Sequence, residues 1–412
     1  MDNLTHSIIG FGAGELLHRS LPRELEDGAQ RVRHRLLLVS CALASNFPDL
    51  DLVLNNLLPA PLGYLLHHRG HTHTALLAIP QALLLAALIW LLWPSARALL
   101  KASATARWGM AASIVLGFTL HLAMDFTNSY GVHPWYPFDG RWVYGDMVFI
   151  IEPLFWVAIG VPMALIMRWR AARWLALTGL LAALVAFAIK GYLGWIALAI
   201  LLKVAVLCGA VQSRSGRDSR AGVALGLLLG IGFIAVQGVA SHLGRAQITA
   251  ALQQLDPASK VVDVAMTAFP SQPLCWAYVS VESNEAAGTY RLRRGIASLA
   301  PQWVAPLSCS VALVEHGASV TLAPGVAQFG REDDDLKRLR TLSVENCRVN
   351  AWLRFGRAPA FDVDGGTVSD YRYAITPRGN FTTMPLASRE PCPTGVPGWG
   401  YPRADLLHGG AQ

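Results

Sequence analysis

Long apolar runs, separated by short stretches rich in arginine, set the pattern of the first 245 residues. Residues 1–18 read as a short helix, too short and too polar for a full membrane crossing. A polar loop, 18–35, leads into an apolar helix over 35–58. Phe47-Pro48 should break that helix, because proline lacks the amide N–H and restricts the residue before it. The run 74–93 is long enough to cross, at about 1.5 Å per residue against a hydrocarbon core of roughly 30 Å. The run 108–126 returns, and 127–146 is a polar, aromatic loop. Further apolar runs occupy 147–167, 174–189, 192–211 and 221–243.

Charge orders this zigzag. Loops 18–35, 94–107, 168–173 and 212–220 carry many Lys or Arg, whereas the opposite loops hold little beyond Arg69, Arg141 and Lys190. Short basic loops mark the cytoplasmic side. His6, the Asp49/Asp51 break, His73 and the His121/Asp125 helix end then share the other side. The net charge of +7 arises largely in these loops, so it speaks to topology rather than to nucleic acid, for which no binding is expected.

After Arg245 the acidic, Pro and Gly content rises and short β-like runs appear at 260–269, 275–283, 349–355 and 367–375. The expected fold is an all-α polytopic membrane domain over 1–245, followed by an α+β extracytoplasmic domain over 246–412. A hydrophobic content of 53% with only 15% charged residues agrees with a bilayer location. No cleavable signal peptide is visible. Cys275, Cys309, Cys347 and Cys392 permit two disulfides in an oxidising compartment, with connectivity open. Cys41 and Cys208 fall in apolar helices and read as core residues.

The candidate chemistry starts at His121 and Asp125. They stand four apart, on one helical face, in a run uncharged from Trp108 to Asp125. An ionisable pair in an apolar segment is costly unless partnered, and this spacing suits a divalent cation. His6, Asp49, Asp51, His68 and His73 add donors of the same kind, with Asp2, His71, Asp146 and Glu152 in reserve. Imidazole and carboxylate suit zinc, and also manganese or iron. The donors exceed one ion's needs, so two or more ions fit. Clustered ions of this kind commonly serve phosphoester or related hydrolysis.

The segments MDNLTH, FPDLD, HHRGHTHT and HLAMDFTNSYG, followed by WYPFDGRW and DMVFIIEP, resemble the bacterial membrane-bound metal-dependent hydrolase family of the LexA-regulated inner-membrane type. The resemblance covers residues 1–165. It implies an inner-membrane location and makes His6, Asp49, Asp51, His68, His73, His121 and Asp125 the matching polar positions. His71 departs from the family pattern and is not expected as a ligand. The His-x₃-acid element is similar, more distantly, to zinc-dependent phospholipase C and P1-type nucleases.

Two function classes follow. In one, a metal-dependent hydrolase acts on an amphiphilic phosphoester or lipid-like ester, with Asp49 or Asp51 holding or deprotonating the attacking water. Arg69 is then either a contact for an anionic head group or a solvated loop cation, the second being preferred. In the other, the cluster is a non-catalytic metal site and the C-terminal domain does the work.

Overall fold

The structure is a computed structural model describing residues 1–309, 318–362, 364–373, 379–387 and 391–409. Helix α1 (Asn3–Ser20) starts where the Asp2 carboxylate accepts the Thr5 N–H at 3.0 Å. It lies tightly on α2 (Asp27–Ala44): a Cβ on Gly14 would sit 2.8 Å from the Leu37 carbonyl. Small residues allow such close approach where lipid supplies no hydrophobic drive between helices. Helix α2 begins within the stretch expected to be loop. Its Arg33, expected in a polar loop, is buried and donates to the Pro22 carbonyl at 2.6 Å and to Glu24 at 3.0 Å.

The expected break follows. Residues Phe47–Leu57 form a 3₁₀ stretch with Pro48 in its first turn. Helix α3 (Leu62–His67), a 3₁₀ turn at His71–His73, α4 (Ala75–Leu92), α5 (Pro94–Ala102) and α6 (Ala104–Phe126) complete the first helical group. A second group holds α7 (Pro153–Ile166), α8 (Arg170–Ile189), α9 (Trp195–Ser215) and α10 (Ala221–Leu255). Among the described residues, six helical stretches, Asp27–Leu57, α4, α6, α8, α9 and α10, are long and apolar enough to cross a membrane. The run expected over 147–167 is helical only from Pro153, because Met147 and Val148 hydrogen-bond back to Thr127 and Glu152 caps the helix.

Arginine-rich segments gather at one end: Arg220 reaches Ser20 at 3.0 Å and Arg217 reaches the Ile166 carbonyl at 2.9 Å. The second domain covers the other end. Helix α10 passes Arg245 without a break, and Ile248, Ala251 and Leu252 pack under the sheet against Val264, Met266 and Trp276. That antiparallel sheet comprises β1 (Lys260–Phe269), β2 (Gln272–Asn284), β3 (Thr289–Ser298), β4 (Val320–Ala323) and β5 (Val326–Asp335), in the order β1-β2-β3-β5-β4. Helices α11 (Leu336–Glu345) and α12 (Cys347–Leu353) follow, then a second sheet of β6 (Pro359–Asp362), β7 (Thr367–Asp370) and β8 (Met384–Pro385), and a short α13 (Ala404–His408).

One strand expectation fails and another holds only in part. Most of 349–355 belongs to α12, because the Asn346 side chain accepts the Arg348 and Val349 N–H groups and caps a helix there. Of 367–375 only the first four residues pair as strand, and Ala374 and Ile375 lie outside the described residues. Disulfides join Cys275 to Cys309 and Cys347 to Cys392, while Cys41 and Cys208 are free and buried.

The two domains share one core. Trp399 donates its indole N–H to the Leu66 carbonyl at 2.9 Å, and Trp142 donates to Arg354 at 2.7 Å. Arg357 spans Asp146 at 2.9 Å and Asp263 at 2.7 Å, with Arg245 also on Asp146.

Candidate metal centre

Helix α6 delivers His121 and Asp125 one turn apart, the 3₁₀ stretch after α2 delivers Asp49 and Asp51, and the turn before α4 delivers His68 and His73. These come together. One atom each from Asp49, His73, His121 and Asp125 forms a buried group, and Asp49, Asp51 and His68 form a second that shares Asp49. In the first group the donor separations are 3.0 Å (His121 Nε2 to His73 Nε2), 3.2 and 3.5 Å (Asp125 Oδ2 to each histidine), and 3.4 and 3.7 Å (Asp49 Oδ1 to each).

The surrounding hydrogen bonds assign the protons. The other ring nitrogen of His121, Nδ1, is 2.8 Å from the Ser45 carbonyl, so it must carry hydrogen and donate. His73 Nδ1 lies 3.2 Å from Asp51 Oδ2 and 3.0 Å from Thr72 Oγ1. Thr72 spends its own hydrogen on Asp51 at 2.8 Å, so His73 Nδ1 donates as well. As neutral rings, both would turn an Nε2 lone pair toward each other and toward two carboxylate oxygens. Asp125 Oδ2 has no hydrogen-bond donor among the described residues. Only positive charge makes that arrangement stable. A proton serves one pair; a divalent ion serves all four.

The remaining residues support this group. Asp51 Oδ2 accepts the Arg69 N–H at 2.9 Å as well as Thr72, and Asp51 Oδ1 meets His68 Nδ1 at 3.1 Å. Asp51 therefore stands partly behind His73 as an orienting carboxylate. His6 is in neither donor group. Its Nε2 is 3.3 Å from Asp125 Oδ1, and its ring stacks on His121 with centroids 4.2 Å apart. The Met1 α-amino group also contacts Asp125 Oδ1.

Arg69 corrects the sequence reading. It is buried, with a left-handed φ of 57°, 3.0 Å from Asp125 and donating to Asn128 at 2.8 Å. Sequence gave its charge to solvent because no local signal shows a loop folded inward. The reserve candidates have other tasks. Asp2 caps α1, His71 packs against Tyr136 and Trp399, and Asp146 and Glu152 bind the second domain, Glu152 through Ser271. Asn128 and Thr72 were not singled out, although TNSYG and HTHT contain them.

Fold and site thus define a multi-pass membrane protein with a buried Asp/His cluster able to hold a metal ion. Residues 1–197 match the family described as YdjM inner membrane protein. With the six candidate spans, that match supports an inner-membrane protein. The chain is also similar to "Uncharacterized protein YfhP" of Bacillus subtilis (strain 168), at 27% identity over 158 residues, 38% of this chain and 44% of that protein. The match thus spans under half of that relative's length. No solved structure matches. The family description names a membrane location, and neither description names a reaction.

Proposed function

We propose that this chain is a membrane-embedded metal-dependent hydrolase acting on a phosphoester or lipid-like ester. The observation that carries the reading is the convergence of four buried donor atoms, one each from Asp49, His73, His121 and Asp125. Four donors around an ion at about 2.0–2.1 Å stand about 3.3–3.4 Å apart, and the five separations measured fall at 3.0–3.7 Å. Two imidazoles and two carboxylates make zinc the favoured ion, with manganese or iron as competitors. A bound ion would supply a Lewis acid and lower the pKa of water.

The chain's own residues divide the remaining work. Asp49 is common to both donor groups, so it is the carboxylate best placed to take a proton where the second group begins. Asp51 and the Ser45 carbonyl fix the histidine rings. Arg69 sets Asp125. His68 is only partly buried and marks the accessible side of the cluster. The arginine-rich loops lie at the far end of the helices, which puts the cluster and the disulfide-bonded domain outside the cytoplasm in this proposal.

One observation favours a non-catalytic metal-binding membrane protein with an interaction domain. The four-donor group is closed and almost without solvent access, as structural zinc sites are. Turnover separates the two readings. The purified protein is assayed for metal content and then against phosphomonoesters, phosphodiesters and lipid esters, with and without chelator. Chelator-sensitive hydrolysis that disappears in His121→Ala and Asp125→Ala supports the enzyme. Stoichiometric metal without turnover on any of these supports the binding protein.

A further inference from the structure

Six aromatic rings close a circuit beside the cluster, three from each domain. Ring centroids follow one another from His68 to Tyr130 (5.7 Å), Phe355 (5.0 Å), Tyr373 (6.5 Å), Phe381 (4.5 Å), Tyr64 (5.7 Å) and back to His68 (4.9 Å). Packing alone does not account for the polar atoms here. The hydroxyls of Tyr130 and Tyr373 are buried and have no partner among the described residues. The same holds for Nε of Arg69, whose guanidinium lies 4.9 Å from the Tyr130 ring. Native structures rarely leave such donors unmet.

The unmet donors select the ligand. An aromatic enclosure can hold an organic cation. Here Arg69 sits over Tyr130, and Arg372 lies 5.2 Å from the Tyr373 ring and 5.3 Å from Phe355. Arg372 is paired with Asp370 and Arg69 with Asp125, so their charges are balanced, and what is left to meet a ligand is a set of donors that calls for an acceptor. Burial pushes both phenols above their ordinary range, so both stay protonated and can donate. Phosphate oxygens can take several donors at once. The Phe355 and Phe381 faces offer apolar contact for an organic remainder, and half-exposed Phe381 lies at the rim.

We infer that this interdomain enclosure is a subsite for a terminal phosphate group, to which the membrane domain contributes Tyr130 and Arg69 and the C-terminal domain contributes Tyr373. The inference deepens the hydrolase proposal and rests on it, by giving the substrate a phosphate head and the C-terminal domain a part in binding it. The head could belong to a lipid or to a soluble phosphate compound.

The test uses the full-length protein in detergent and in phosphatidylcholine nanodiscs. Inorganic phosphate is titrated calorimetrically, and nanodiscs with and without phosphatidic acid are compared for competition against it. Metal content is measured on every sample. Tyr130→Phe and Tyr373→Phe remove only a hydroxyl, each from a different domain. The expected result is phosphate binding weakened about tenfold in each variant, with metal content unchanged. Competition from phosphatidic acid assigns the head to a lipid, and its absence assigns it to a soluble phosphate; both outcomes keep the subsite. Equal affinity in wild type and both variants overturns the inference. So does a metal-loaded wild type that binds neither probe, and the metal site would survive that result. Tyrosine-dependent phosphate binding by protein that retains no metal would keep the subsite and remove the hydrolase reading.

Discussion

His121 shows how far one side chain can be read. Its spacing from Asp125 was visible in the sequence, but its tautomer is not, since the Ser45 carbonyl that fixes it is 76 residues away. Asp51 and Asp49 looked equivalent in FPDLD. The fold separates them by giving Asp51 three donors on Oδ2 and leaving Asp49 at the junction of both donor groups. Asp51→Asn should therefore lower metal affinity about 10–100-fold, as loss of an orienting partner does, while Asp125→Ala should remove binding altogether. Competition against a chromophoric chelator measures both. His133 gives a pH prediction. Burial, reinforced by His73 and His71, pushes its pKa down to about 3, and its ring lies 3.8 Å from Trp399. A histidine with a depressed folded value contributes stability above its unfolded pKa of about 6.5 and loses it as pH falls below that. Amide protection in residues 391–409, corrected for the intrinsic pH dependence of exchange, should fall below about pH 6.5, and His133→Gln should flatten that dependence.

Among the elements, hydropathy located α4, α6, α8, α9 and α10, five of the six candidate spans among the described residues, because burial in lipid leaves little choice of residue. It began the Asp27–Leu57 stretch late, at residue 35, and took 147–167 for a span where the helix is only Pro153–Ile166. It failed where neighbours decide the outcome. The alternation in VNAWLRF suggested a strand, yet the Asn346 cap and the bond from the Trp352 indole to the Thr382 carbonyl at 2.7 Å belong to a helix. The α2–α6 seam carries a prediction of its own. A Cβ on Gly117 would lie 2.5 Å from Ala44 Cβ and 2.6 Å from the Cys41 carbonyl, one turn before His121. Gly117→Leu should force α6 off α2, cost about 1–3 kcal/mol and draw His121 away from Ser45. A lowered thermal midpoint together with reduced metal content is the expected result; loss of stability with full metal content would uncouple the seam from the site.

Across the whole molecule, the passage from a helical region to a C-terminal domain with antiparallel sheets was legible as a change in composition, although α10 runs on to Leu255. The closeness of the two parts was not, because Arg357, Asp146 and Asp263 are far apart in the chain and individually look like surface charges. Burial raises the Asp263 carboxyl, but Arg357, Arg403 and Arg245 outweigh it and hold that group below the ordinary carboxylate range. This clamp thus contributes stability above about pH 3.9 and keeps it in mild acid, where the His133 contact weakens. Arg357→Ala should cost about 3–5 kcal/mol, since it leaves Asp146 and Asp263 with less compensation in a buried place. Thermal unfolding in detergent measures it. Reporter fusions at Gly216 and at the C-terminus should give opposite membrane sides, and a shared side would refute the topology. The roof over the cluster also has a consequence for biosynthesis. Trp399 follows the Leu66 carbonyl that it grips by 333 residues. At about 5–20 residues per second, the ribosome needs on the order of tens of seconds to make that interval. The segments that carry the candidate donors are complete early in it, so under the proposed reading the nascent chain has an interval for loading metal before its own later residues cover that end.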